Sequence, residues 1–299
     1  MFVQHSLRRA HLRHVSSLPP PGLFSFASHS SKPRTHLEVE HKFVPTAAFM
    51  RCLVDGAQEE AEPSLPYDHA STSSALKGLV VTRLRDRQIR DTYLDADGKL
   101  VCQGIWVRRR AQEDCGRETA CVPLQDGQGK ESWQAKVRLS GDFVDSQFEE
   151  IEGQGQVTKA VQRHLPQVTL MDLTPSADLQ TYRRTWHLQE EEGGDTAVSV
   201  MVVLDKVSTY EGTKEASSDS APFSHQIGEI ELSTEADSST PAKQKQLLVQ
   251  DMRRTLHAFM QRHPSLFLGK HQPLGKLSAY FAWLKECQAG GNKALRARS

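Results

Sequence analysis

The feature that most constrains this chain is a set of about eight short segments that alternate with period two and carry full charges at many polar positions. Residues 36–44 read H-L-E-V-E-H-K-F-V, so Leu37, Val39, His41 and Phe43 share one strand face while Glu38, Glu40 and Lys42 share the other. Residues 105–110 put Trp106, Arg108 and Arg110 on one face and Arg109 on the opposite one. Residues 132–139 set Gln134, Lys136 and Arg138 against Trp133, Ala135, Val137 and Leu139. Segments 89–94, 148–152, 181–188, 198–207 and 226–232 complete the set. Short strands in this number, with few helices between them, point to a barrel or a sandwich.

Two arrangements fit the charged faces. They are ordinary solvated faces, or they line the wet lumen of a closed sheet whose apolar faces point outward and need covering. Helices that could supply the cover are read at 46–54, opened by Pro45-Thr46 and stopped by Gly56, and at 156–165 and 277–284. A longer helix opens at Thr240-Pro241 and presents Leu247, Leu248, Met252, Leu256, Phe259 and Met260 as its apolar face. Segments 57–85, 111–130 and 211–224 read as loops.

Lys and Arg number 37 and so do Asp and Glu, so no overall field draws the chain to DNA or to an anionic membrane. Affinity for an anion must then come from local clustering. Five cysteines, at 52, 102, 115, 121 and 287, include no Cys-x-x-Cys pair, and free thiols in a reducing interior are the expectation. No apolar run approaches the roughly 18 residues that span a bilayer. Residues 1–37 hold no Asp or Glu but contain Arg8, Arg9, Arg13, Lys32 and Arg34 among many serines. That is the composition of a mitochondrial transit peptide. The reading is a leader over 1–35, one folded domain over 36–287 and a disordered tail over 288–299, with a mitochondrial location and a cytoplasmic one as the alternative.

The motif order resembles a known family. E-V-E-H-K-F at 38–43 is similar to the Glu-x-Glu-x-Lys signature of the CYTH superfamily, the triphosphate tunnel metalloenzymes. R-D-T-Y-L-D at 90–95, W-V-R-R-R at 106–110, W-Q-A-K at 133–136 and F-E-E-I-E at 148–152 follow in the family order. So do R-R-T-W at 183–186, I-G-E-I-E-L at 227–232 and G-K-L-S-A-Y at 275–280, and together they resemble the thiamine triphosphatases most. The resemblance spans roughly residues 36–285. It implies a mainly β fold of the α+β class: a closed eight-stranded antiparallel β-barrel, the triphosphate tunnel, with flanking helices. It also implies a monomer acting on a small-molecule triphosphate, with no DNA or membrane partner.

The chemistry fits the residue types. A triphosphate calls for several cations at close range, and arginine's planar fork donates paired hydrogen bonds to phosphate. By resemblance Arg108, Arg110, Lys136, Arg184 and Lys276 bind phosphate, and Trp106 stacks on the cationic thiazolium ring of thiamine. Arg183 and Arg184 are adjacent, so a one-residue slip of register would exchange them. Glu38, Glu40, Glu150, Glu229 and Glu231 are implied as ligands of Mg²⁺ or Mn²⁺, hard ions that take carboxylate and phosphate oxygens. Lys42, Arg184 and Asp205 are implied as catalytic groups. Thiamine triphosphatases carry an Asp-x-Asp pair where this chain reads Val203-Leu204-Asp205, so only the second acid is kept. The implied reaction is hydrolysis of thiamine triphosphate to the diphosphate. Inorganic triphosphatase, nucleoside or RNA 5′-triphosphatase, and a non-catalytic polyphosphate or nucleotide binder are the alternatives.

Overall fold

In a computed structural model the described residues are 34–55, 76–115, 122–191, 198–210, 222–237, 239–269 and 271–296, with side chains over 35–289 of these. The leader reading at 1–35 lies almost wholly outside them.

Nine antiparallel strands form one sheet: β1 (Arg34–Phe43), β2 (Leu79–Arg83), β3 (Arg87–Asp95), β4 (Ile105–Asp114), β5 (Lys130–Gly141), β6 (Asp145–Glu152), β7 (Thr174–Glu190), β8 (Ser199–Thr209) and β9 (Ser224–Asp237). Their order is β2-β7-β3-β4-β5-β6-β1-β9-β8, and β7 also pairs with β8. That last pairing closes eight strands into a barrel, which removes the free edges that an open sheet would expose. The 17-residue β7 pairs with β3 along residues 174–183 and with β2 along 186–190, so β2 extends the wall that β3 leaves. β2 lies inside the segment read as a loop. Its L-V-V-T-R run has no clean alternation, which is why periodicity does not reveal it.

The apolar faces point outward and are covered. A short helix, α1 (Ala47–Phe49), runs on into one wider turn, Met50–Asp55, and is capped by Thr46 Oγ1, which accepts from Phe49 N at 3.0 Å. With α4 (Ala242–Arg262) and α5 (Pro264–Phe267) it covers Leu37, Val39, Phe43, Trp186, Leu188, Val202 and Ile230. The face α4 presents is turned from the one read in the sequence: Leu247 is 55% exposed, and Val249 takes an inner position with Leu256, Phe259 and Met260. Thr240 is not its cap; Pro241 holds that place without a side-chain bond. Phe43 meets Phe49 at 5.2 Å and Phe267 at 5.3 Å. Its ring lies where a Cβ on Gly228 would be, 2.5 Å away, so β9 needs glycine there.

On another side α2 (Lys99–Cys102) and α3 (Gln154–His164) cover Ile105, Val107 and Ala135. On a third, α6 (Lys276–Arg296) covers Ala177, Leu179, Val207 and Phe223, and it runs to Arg296, into the segment read as a disordered tail. Helices on the apolar outer faces leave the inner faces to the charged residues. Of the two sequence arrangements, the closed, wet-lumen one is found.

Cys52, Cys102 and Cys287 are free thiols, but Cys115 is disulfide-bonded, which corrects the expectation that all five are free. An odd count rules out complete pairing but leaves room for one bridge. Among the described residues no helix is long and apolar enough to cross a membrane.

Candidate active site

Strand parity builds the lumen. β1 turns Glu38, Glu40 and Lys42 inward, because Leu37, Val39 and Phe43 are held in the outer core. β4 turns in Trp106, Arg108 and Arg110, β5 turns in Gln134, Lys136 and Arg138, β6 turns in Phe148, Glu150 and Glu152, and β9 turns in Glu229 and Glu231. Lys276, the first residue of α6, joins them. Together they line a cavity of ≈ 320 Å³. That lies within the usual range for ligand pockets, about 300–1,000 Å³.

The charges are paired in a defined way. Lys136 Nζ sits 2.8 Å from Glu38 Oε1 and 3.2 Å from both Glu40 Oε2 and Glu150 Oε1. Lys42 contacts Glu40 on the same strand. Arg110 makes a two-pronged bond to Asp91 at 2.7 and 2.7 Å, and Arg108 Nη1 stands 3.7 Å from the same carboxylate. On the neighbouring strands β7 and β8, Arg183 makes the same fork to Asp205, at 2.7 and 2.7 Å, and reaches Glu229 at 3.5 Å. Lys276 Nζ also donates to Asp205 at 2.7 Å. Asp91 and Asp205 are fully buried, and neither lines the cavity. Burial pushes each carboxyl up, but Arg110 and Arg108 outweigh it for Asp91, and Arg183 and Lys276 for Asp205, so both stay well below the carboxylate range. Each is an anion on the lumen side of its strand, covered by the cations whose forks it fixes.

The carboxylates of β1 and β9 are in a different state. Glu38, Glu40 and Glu231 offer oxygens that all lie within 4.8 Å of one another. Burial pushes Glu38 well above the carboxylate range; Lys136 opposes this, and Glu150 and Glu231 add to it. Burial lifts Glu231 to about 7, with Arg183 opposing and Glu229 adding. Glu40 is the counterweight: burial raises it, but Lys136 and Lys42 outweigh burial and hold it well below its usual value. Three crowded carboxylates, two of them reluctant to ionise, are short of positive charge. A hard divalent cation with oxygen preference, Mg²⁺ or Mn²⁺, fits this donor set.

The residues singled out in the sequence fall as follows. Glu38, Glu40, Lys42, Trp106, Arg108, Arg110, Lys136, Glu150, Glu229, Glu231 and Lys276 are brought to one cavity. Glu150 and Glu229 are not among the three carboxylates whose oxygens converge: Glu150 borders them, hydrogen-bonded to Glu38 and paired with Lys136, and Glu229 faces Arg183. Arg184 is displaced from its expected role. Trp186, two residues on, is buried in the outer core, so Arg184 shares the outward face and stacks its guanidinium over Tyr182 at 5.6 Å. Arg183 takes the inner position. Asp205 shares the inward face with Arg183, is covered by Arg183 and Lys276, which both donate to it, and does not itself line the cavity. Val203 is buried on the same strand, opposite Glu229.

Sequence reasoning missed Asp91, Tyr93, Arg138 and Arg87. Asp91 follows from parity once β3 is paired with β4, because Asp91 then stands opposite Arg110. Arg138 stacks on Trp106 at 4.8 Å and on Phe143 at 4.6 Å, and Phe148 meets the Trp106 ring edge-on at 5.6 Å.

No family profile and no curated protein matches the chain. Several solved structures are similar in outline, three of them as follows. A putative adenylyl cyclase from Hippeastrum, described as having a dominant triphosphatase activity, shares 14% identity over 83% of this chain and 95% of its own, at a TM-score of 0.39. A putative adenylate cyclase from Bacillus halodurans shares 14% over 82% and 97%, at 0.37. One from Vibrio parahaemolyticus shares 14% over 82% and 97%, at 0.38. At these scores the likeness carries no weight for the activity, which rests on the chain's own residues.

Proposed function

We propose that this chain hydrolyses a triphosphate with the help of a divalent metal ion, and that the substrate is thiamine triphosphate, converted to thiamine diphosphate and orthophosphate. The observation that carries the reading is the meeting of two opposed charge sets in one closed lumen. The three-carboxylate cluster of Glu38, Glu40 and Glu231 belongs to β1 and β9, while the cations Arg108, Arg110 and Lys136 belong to β4 and β5.

Arg108 and Arg110 are anchored by Asp91, which leaves their other donors to the cavity. Arg183 and Lys276, anchored by Asp205, do the same beside them. Preset donors of this kind need little reorganisation as charge moves to the leaving oxygen. Glu38, Glu40 and Glu231 would hold the ion. An ion held there would supply positive charge against the negative charge that develops on the phosphate oxygens. Water adds to the terminal phosphorus, the bond to the bridging oxygen breaks, and orthophosphate leaves.

The thiamine end rests on Trp106, whose indole lines the same cavity as the phosphate-binding arginines. A thiazolium cation on an indole face gains about 0.5–2 kcal/mol. A second reading has its own support: Arg138 already covers Trp106 at 4.8 Å, and an inorganic or nucleoside triphosphate leaves that contact in place. Phosphate release from thiamine triphosphate, inorganic triphosphate and ATP, with Mg²⁺ and then with chelator, separates the readings. Thiamine triphosphate should turn over fastest and only with metal. Trp106→Ala should raise its KM by about 2–30-fold while sparing inorganic triphosphate. Faster turnover of another triphosphate moves the substrate to that class, and tight binding with no release makes the chain a binder. The basic leader supports import into mitochondria, which a reporter fused to residues 1–37 would test.

A further inference from the structure

On the outer face of β1, away from the lumen, three side chains leave polar atoms without partners at one point. His41 and Asp145 stand opposite each other in the β1–β6 pairing, so their side chains share a face, and α4 lays His257 over them. The rings of His41 and His257 are 5.8 Å apart. His41 Nδ1, Asp145 Oδ1 and His257 Nε2 are all enclosed, and none has a hydrogen-bond partner among the described residues. His257 Nε2 lies 3.0 Å from the other oxygen, Asp145 Oδ2, without the alignment of a hydrogen bond. Asp145 is only 7% exposed. A buried polar atom left bare loses its hydration without compensation, so three bare atoms converging call for an occupant.

We propose that His41, Asp145 and His257 form a second metal site, which binds one divalent transition ion of the zinc class and ties α4 to the barrel wall. Ligand atoms from the three side chains lie within 4.8 Å of one another. Ligands about 2.1 Å from a tetrahedral ion stand roughly 3.4 Å apart, a closure that rotation of the partly exposed His257 can supply. Two imidazoles and one carboxylate suit Zn²⁺ and disfavour Mg²⁺ and Ca²⁺, which take oxygen alone. The site is thereby set apart from the all-carboxylate cluster in the lumen. Arg253 donates to Asp145 Oδ2 at 2.7 Å, which leaves Oδ1 for the ion and fixes the plane of the carboxylate. His257 Nε2 is enclosed while the side chain as a whole is 36% exposed, so the ring is the side of the site that can turn outward to admit an ion.

The test uses the full chain, stripped with chelator and titrated with Zn²⁺ by calorimetry, with bound metal counted after dialysis. Wild type should retain one zinc, and a Glu38→Gln/Glu40→Gln variant should retain it equally, because those glutamates face the lumen. His257→Ala and Asp145→Asn, checked for native circular dichroism, should each bind at this site more than about 100-fold more weakly, since loss of a mere outer hydrogen-bond partner already weakens metal sites roughly 10–100-fold. Zn²⁺ should raise the melting temperature of wild type and of the lumen variant but not of His257→Ala. Undiminished zinc binding by both His257→Ala and Asp145→Asn would overturn the proposal, as would complete loss of zinc from the lumen variant.

Discussion

Replacing Lys136 with methionine removes one charge and keeps most of the volume. Its ammonium serves Glu38, Glu40 and Glu150 at once, at 2.8, 3.2 and 3.2 Å. A unit pair at 4 Å is worth about 4 kcal/mol at an effective dielectric of 20, and breaking a buried pair by removing one partner costs roughly 3–5 kcal/mol. The pH dependence follows from the carboxylates. Against the push of burial, Lys136 and Arg108 bring Glu150 down to about 2, from an ordinary 4.5, and Glu40 is also held low. A depressed carboxylate stabilises the fold above its unfolded value, and that contribution is lost as pH falls through the folded value. In Lys136→Met the contribution disappears, and Glu38, already raised by burial, rises further. The deficit should therefore be full at pH 8, about 3–5 kcal/mol, and shrink as pH falls from 4.5 toward 2, where Glu150 takes up its proton in the wild-type fold as well. Urea unfolding of metal-free wild type and variant at pH 8 and about pH 2.5 measures it. A deficit below about 1 kcal/mol at pH 8, or one of equal size at both pH values, would refute a shared buried cation.

Two further predictions concern the same lumen. Glu231 has a folded value raised to about 7, so its contribution is present below pH 4.5 and is lost as pH rises through 7. Glu231→Gln should thus stabilise the metal-free protein at pH 8 by roughly 2 kcal/mol, and leave it unchanged near pH 4, by denaturant unfolding. It should also abolish the stabilisation that Mn²⁺ gives wild type. Arg183→Ala should lower kcat/KM for any triphosphate by about 100–1,000-fold, while Arg184→Ala changes it by less than about threefold, because only the first lines the cavity.

Much of this site could be read from the chain because alternation is strict where it matters. In β1 every outward residue from 37 to 43 except His41 is apolar and every inward one from 38 to 42 is charged, so parity assigns Glu38, Glu40 and Lys42 without a structure. Arg108, Arg110, Lys136 and Lys276 were legible for similar reasons or from motif order. The pair Arg183-Arg184 was not, since two arginines give parity no contrast. What decides between them is the packing of Trp186 against Phe49 at 5.8 Å, a contact between residues far apart in sequence. Asp91 and Asp205 act through cations on neighbouring strands, so their roles depend on register, which local pattern does not supply. His41 sits on a face read as apolar, and its companion His257 lies 216 residues later, on a helix whose inner face the sequence sets slightly wrong.

The central claim is that a triphosphate and a divalent ion meet inside this barrel, between the carboxylates of β1 and β9 and the cations of β4 and β5. Its most direct test is a crystal structure with Mn²⁺ and a non-hydrolysable triphosphate, with the metal located by anomalous scattering. The anomalous peak is expected within about 2.5 Å of oxygens from Glu38, Glu40 or Glu231, with phosphates on Arg108, Arg110 and Lys136. Phosphates bound only on the outer surface, with the lumen glutamates bare of metal, would contradict it.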